Sequence, residues 1–311
     1  MKQGLIILLA LLFCGAVSVS AEEILTVAKV AAEPTMDGKT EAIWDAAQPT
    51  TIKVEKIPEE VIAVNLAKQQ GKYAKNWKKT KFTEISEVEL KAVRTNDRIF
   101  FLARWKDDTK DDQHKPWKWQ GDKETGEYVA GSEREDRLAF MFQLNGIFHP
   151  NVLYDNVGER SVDVWQWKAA RTNPVGMIHD KSHIYSRVPL KGKYSIHYTD
   201  KGNEVYVSRP GDGGVSPYKT NKVDPFVYQG DVVPRYIPFI PEKAGAADVK
   251  GKGDWQSGVW TVEAGRDLDT GFSNTDTVFN PAKDGEMAIA VFNHVGDHFH
   301  ARSKTIKLVY K

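Results

Sequence analysis

Apolar and polar residues alternate with a period of two along several short stretches of the chain, and no stretch sustains a period of 3.6. Val88, Leu90 and Ala92 alternate with charged neighbours, Thr95-Asn96-Asp97 carries turn chemistry, and Ile99, Phe101, Ala103 and Trp105 alternate again. Glu87 to Trp105 therefore reads as a hairpin. Between Glu135 and Asn145, Leu138, Phe140, Phe142 and Leu144 form one strand face, while Ala139, Met141 and Gln143 form the other. Val259 to Ala264, Met287 to Asn293 and Ser303 to Tyr310 return to strand character. Short strands separated by turn signals predict a mainly β protein: an antiparallel β-sandwich with few short helices.

Elsewhere the pattern fades. Lys106 to Glu133 is polar and turn-rich around Pro116-Trp-Lys-Trp119, which predicts a long surface loop. Residues from about 146 to 254 are rich in Gly and Pro, with Asp163-Val-Trp-Gln-Trp-Lys-Ala-Ala-Arg171 as the one dense feature. Both regions read as loop-rich insertions, at about 106–133 and 146–254, on a single domain spanning 22–311. Near the start, a tight Asp37-Gly38 turn precedes a short amphipathic piece carrying Trp44.

The first 21 residues read as a signal peptide, with Lys2 in front of the apolar run Leu5 to Phe13 and Val19-Ser20-Ala21 as a small-residue cleavage site. That run is too short for a transmembrane span, and Phe13 stands before Cys14 where a lipoprotein site wants a small residue. The expectation is an exported, periplasmic protein with no stable membrane anchor after cleavage. Cleavage removes the only cysteine, and removing Lys2 from the 43 basic residues leaves 42 against 42 acidic ones. Zero net charge argues against a nucleic-acid partner. Loss of the cysteine excludes disulfides, thiolate metal sites, iron–sulfur ligation and covalent haem attachment. The acidic pairs Asp107-Asp108 and Asp111-Asp112 alternate sides and read as facing water, and no catalytic motif stands out. The chain reads as a binding or electron-transfer protein, not an enzyme.

Candidate chemistry gathers near the C-terminus, where His294, His298 and His300 fall within seven residues. If that run is extended, His298, His300, Arg302 and Lys304 share a face with Ile306, Leu308 and Tyr310. The histidines fit a surface loop, a His-x-His metal site completed by Asp297 or His294, or a nitrogen donor to a cofactor. Met141 reads first as core packing, but Ala139 and Gln143 make its face shallow enough for a flat group. Trp165 and Trp167 read as core, with a sugar-stacking platform as the rival. Lys168 and Arg171 beside them suit carboxylate recognition.

The runs Trp105-Lys-Asp-Asp-Thr109, Trp117-x-Trp119, Glu135-Asp-Arg-Leu-Ala-Phe-Met-Phe142, Asp163-Val-Trp-Gln-Trp-Lys-Ala-Ala-Arg-Thr-Asn-Pro174 and Gly258-x-Trp-Thr-Val-Glu-x-x-Arg266 resemble the ethylbenzene dehydrogenase-related haem-binding domain family. That family includes the haem b gamma subunits of periplasmic molybdenum oxidoreductases, and the similarity covers about Pro34 to Tyr310. The resemblance implies a non-covalent haem b at one end of the sandwich, held by two axial side chains. Met141 matches the family's methionine. Lys304 matches its lysine, and longer relatives point instead to His298 or His300. Lysine must be buried and neutral to bind iron, whereas histidine is neutral near pH 7 with little help. Lys168 and Arg171 would face the propionates, near Trp165 and Trp167. Gln166 departs from the family, where a histidine is common. The implied function is electron transfer as a subunit or partner of a periplasmic oxidoreductase, with a molybdenum enzyme or a cytochrome as redox partner. The Asp37-Gly38…Trp44…Ala47 opening also resembles carbohydrate-binding family 9-like modules. Those imply the alternative of a binding module without cofactor, using Trp165 and Trp167.

Overall fold

Aromatic and branched residues on alternate strand positions build one central core, which a computed structural model describes for residues 22–68, 82–151, 158–243, 245–296 and 299–311. The signal-peptide reading and His298 fall outside the described residues. The strands are β1 (Glu23–Lys29), β2 (Thr50–Lys53), β3 (Glu55–Lys56), β4 (Glu87–Arg94), β5 (Arg98–Lys106), β6 (Trp117–Gln120) and β7 (Glu127–Ala130). They continue with β8 (Arg137–Asn145), β9 (Arg160–Lys168), β10 (His179–Ser186), β11 (Ser195–Tyr198), β12 (Glu204–Ser208), β13 (Tyr218–Thr220) and β14 (Val232–Val233). The last are β15 (Tyr236–Pro238), β16 (Lys250–Gln256), β17 (Val259–Asp267), β18 (Gly285–Phe292), β19 (Ala301–Arg302) and β20 (Ile306–Tyr310). Among the described residues the α-helix is α1, Glu59–Lys68, and no helix is long and apolar enough to cross a membrane.

The main sheet runs β11-β12-β10-β9-β8-β18-β20-β1-β4-β5-β17-β16 and folds over itself into a sandwich. Phe140, Phe142 and Trp165 from one half meet Phe101 from the other, with ring centroids 5.3 to 5.8 Å apart. Trp105 and Trp167 close on Trp260 at 6.4 and 4.8 Å. Each such side chain contributes on the order of 1.5–3 kcal/mol through burial. The predicted hairpin is present as β4 and β5, in register from Glu89↔Arg104 to Arg94↔Ile99. The sandwich is mixed rather than wholly antiparallel: β1 runs parallel to both β20 and β4. Alternation of side chains is the same in either direction, so the pattern carries no record of neighbour orientation.

Both predicted insertions contain paired strands. Within 106–133, β6 and β7 form a hairpin that β14 joins, with Trp119 packed edge-on against Tyr128 and Tyr228. Within 146–254, β9, β10, β11, β12 and β16 belong to the main sheet. β16 escapes an apolar pattern because its inward positions are Gly251 and Gly253; a Cβ on Gly253 would meet the Trp167 ring at 2.5 Å. Asp107, expected to face water, is buried. The C-terminal run is not one continuous strand. Ala301 and Ile306 both enter the core although they stand an odd number of residues apart. Between them Ser303 replaces regular pairing: its N–H donates to Ile289 O, and Ile289 N–H donates to its Oγ. Lys304 is left exposed.

Candidate functional site

The outward face of the β18-β8-β9-β10 layer carries the chemistry. Strand alternation sends Leu138, Phe140 and Phe142 into the core and leaves Arg137, Ala139 and Met141 on the opposite side. Register then assembles rows across the sheet. Arg302, Ala290, Ala139, Gln166 and His179 lie in one, and Ala288, Met141, Val164 and Lys181 in the next. Val162 and His183 follow in a third. Its floor is low: Ala139, Ala288, Ala290, Val162 and Val164 surround Met141. Phe148 packs into the same cluster, so a ring seated on this floor requires Phe148 to move aside.

Beside the floor lies a strip of buried basic groups. Lys168 is 3 % exposed, its Nζ 2.6 Å from His179 Nδ1 and within 3.1 Å of the Tyr218 hydroxyl. Lys181, 9 % exposed, donates to Gln166 Oε1 at 2.8 Å. Burial, reinforced by Lys181 and Arg171, holds the Lys168 ammonium well below the usual lysine range. Burial and the same lysines likewise depress His179 and His183. These imidazoles are therefore neutral donors at pH 7. His183 Nδ1 lies 3.2 Å from the Tyr185 hydroxyl, and its Nε2 is buried with no hydrogen-bond partner among the described residues. Arg171 is anchored by Glu135, Nε to Oε1 at 2.5 Å, and stacks between Tyr218 and Tyr236.

At the β19 edge of this face a groove of about 440 Å³ is lined by Arg302, Lys304, His149 and Asn151 among others. The structure thus brings Met141, Lys168 and the Arg302 row onto one face, with Lys304 on the groove's rim. Arg171 follows β9 at the end of the same layer. His300 lies apart from Lys304 and stacks on Phe292, ring centroids 4.5 Å apart. His294 instead meets acids: its Nδ1 lies 3.1 Å from Asp111 Oδ2, and its backbone N–H donates to Asp136 Oδ1. Asp136 is pushed up to about 8 by burial and by the neighbouring Asp107 charge.

Trp165 and Trp167 are 0 % exposed and belong to the core. Neither indole offers a surface on which a sugar could stack. The Trp-x-Trp run and its extension form a clamp: Asn173 Oδ1 accepts from Trp167 Nε1 and Gly253 N, while its Nδ2 donates to Gly253 O. His149, His179, Lys181 and His183 were not singled out by sequence. The signal for three of them was present, since His179, Lys181, His183 and Tyr185 alternate along one strand as strictly as apolar residues do in a core strand.

Fold and face together define a β-sandwich domain with one amphiphilic sheet face. A sequence profile described as ethylbenzene dehydrogenase matches residues 41–303, and the chain belongs to that family. No curated protein matches the sequence. Similar solved structures include a carbohydrate binding module family 9 from Caldicellulosiruptor kristjanssonii in complex with glucose, at 8 % identity over 93 % of this chain and 96 % of that one, TM-score 0.36. Another is a putative carbohydrate-binding protein from Bacteroides uniformis, at 7 % identity over 94 % of this chain and 100 % of that one, TM-score 0.40.

Proposed function

We propose that the chain is an exported electron-transfer protein that binds one haem b without covalent attachment on the β18-β8-β9-β10 face. In the periplasm it would serve a molybdenum oxidoreductase or a cytochrome as subunit or partner. The observation that carries this reading is the meeting of a thioether, an unpartnered buried imidazole nitrogen and buried lysines on one sheet face floored by alanines. The donor set fits the group: a flat macrocycle needs small side chains beneath it, neutral sulfur or nitrogen donors for iron, and cations for its propionates. Met141 would be one of the side chains that hold the iron. His298, His300 and Lys304 would be the second donors, while His183, whose Nε2 is neutral and desolvated, shares the sheet face of Met141 and would be the alternative to it. Lys168, Lys181 and Arg302 are the basic groups of this face that a propionate would meet. Haem would supply one-electron exchange; the chain's residues would hold it, exclude water and set its potential, which a methionine ligand raises.

The test is spectroscopic. Purified or haem-reconstituted protein is expected to show a Soret band, α and β bands on reduction, and a b-type pyridine haemochromogen. Met141→Ala should lose the low-spin spectrum. Among His300→Ala, His298→Ala and Lys304→Ala, the variant that turns high-spin names the second ligand, and a high-spin His183→Ala with an unchanged Met141→Ala puts His183 in the place of Met141. A folded protein that stays colourless and takes up no haem overturns the reading.

A further inference from the structure

A second concentration of chemistry lies at the end of the core, on the opposite side of β9 and β10. Asp163 and Asp180 point inward there beside Trp165, joined by Asp212 from the turn after β12 and Asp276 from the loop after β17. Carboxylate oxygens of Asp180, Asp212 and Asp276 lie within 4.8 Å of one another, and all four residues are at most 2 % exposed. One guanidinium answers them: Arg266 reaches Asp163 at 3.0 Å, Asp180 at 3.3 Å and Asp276 at 3.4 Å.

Four buried carboxylates against one cation is not a balanced arrangement, because an uncompensated buried charge costs several kcal/mol. Hydrogen bonds cover only part of the set. Thr270 and Thr275 hydroxyls hold Asp276, Thr277 N–H holds Asp163 Oδ2, and Ser182 Oγ reaches Asp212 Oδ1 at 3.4 Å. Asp163 Oδ1, Asp180 Oδ1 and Asp212 Oδ2 remain buried with no donor. Asp163 stands outside the three-carboxylate cluster, is 0 % exposed, keeps its Oδ1 buried without a donor and meets Asp180 carboxyl to carboxyl. Asp212 meets Asp276 carboxyl to carboxyl, and Asp180 meets Asp248 in the same way. Carboxyl groups pressed together in the interior share either protons or a cation.

We propose that these aspartates form a structural divalent-cation site, and that the cation is calcium. The donors are all hard oxygens, with no nitrogen or sulfur among them. They are carboxylates from four chain segments in a buried, irregular setting. Calcium accepts six to eight oxygens in flexible geometry, whereas magnesium demands an octahedron and keeps several waters. The ion would tie β9 and β10 to the loop after β17, and so pin one layer of the sandwich to the other at its open end.

Elemental analysis of the full chain, dialysed against metal-free buffer, should return calcium near one equivalent. Chelation with EGTA should lower the thermal midpoint by several degrees, and calcium, but not magnesium, should restore it. Terbium should luminesce on tryptophan excitation, through Trp165, and excess calcium should displace it. Asp212→Asn should abolish the calcium response while leaving the chelated variant at least as stable as chelated wild type, since a like charge has gone. Should Asp212→Asn fail to fold, Asp180→Asn takes its place, and the wild-type titration decides in either case. A wild-type midpoint identical in EGTA and in millimolar calcium overturns the proposal, as does a chain that retains no calcium and gains stability only from acidification.

Discussion

Asn173 Oδ1 accepts the indole N–H of Trp167 at 3.0 Å and, with the same oxygen, the backbone N–H of Gly253 at 2.7 Å. One side chain thereby joins β9 in one layer to β16 in the other. Asn173→Ala leaves both donors unmatched, each costing about 1–3 kcal/mol. A loss of about 3 kcal/mol is expected in urea unfolding, with no change in any cofactor spectrum.

The partner position is as demanding. Gly253→Ala brings a methyl against the Trp167 ring, at 2.5 Å before relaxation. Overpacking of this kind costs about 1–3 kcal/mol. Because both substitutions act on Trp167, the double variant is expected to lose less than the two single losses combined, which a double-mutant cycle in urea will show.

Glu263 is buried on the outer face of β17, beneath the segment that carries Trp44, where its carboxylate accepts from Trp44 Nε1 at 2.8 Å, Gly38 N at 2.8 Å and Asp37 N at 3.0 Å. Burial raises it from 4.5 to about 7. A raised carboxylic acid binds protons better folded than unfolded, so its contribution is full below pH 4.5 and is lost as pH rises through about 7. Glu263→Gln removes that titration and turns an amide NH₂ toward N–H donors. The variant is expected to be less stable than wild type at pH 4.5, with the gap narrowing toward pH 7 in urea unfolding followed across that range.

Lys168 gives the opposite sign. Its folded value lies well below the lysine range because burial disfavours the ammonium, so the unfolded chain binds the proton better and stability rises with pH. Lys168→Met is expected to stabilise the ligand-free protein at neutral pH, with the gain shrinking as pH approaches 10.5. If Lys168 holds a propionate as proposed, the same variant releases haem faster, measured by transfer to an apo-globin acceptor.

Much of the candidate site was legible where it followed strand alternation. Met141 opposite Leu138, Phe140 and Phe142 is a consequence of the pleat, and the face of β8 follows from six consecutive residues. The histidine cluster was legible only as composition. Its expected shared face breaks at Ser303, whose side chain and backbone bond Ile289 in place of a regular ladder, and this change of parity leaves no trace in apolar pattern. His183 was invisible because polar residues on alternate positions look like a solvated edge until the neighbouring strands are known. The Trp-x-Trp run was plain as a motif, yet which side of β9 faced the interior depended on what lay across from it.

The chain by itself determined the β class, the β4–β5 hairpin, the two-faced β8 strand and membership of a recognisable family, because each rests on side chains spaced two apart or on a contiguous run. Tertiary structure alone decided the parallel seat of β1 and the meeting of Met141, Lys181 and His183 on one face. It alone gathered Asp163, Asp180, Asp212 and Asp276 around Arg266. Those arrangements are set by pairing between segments far apart in the chain, and a strand's own residues do not encode which strand lies beside it or which way it runs.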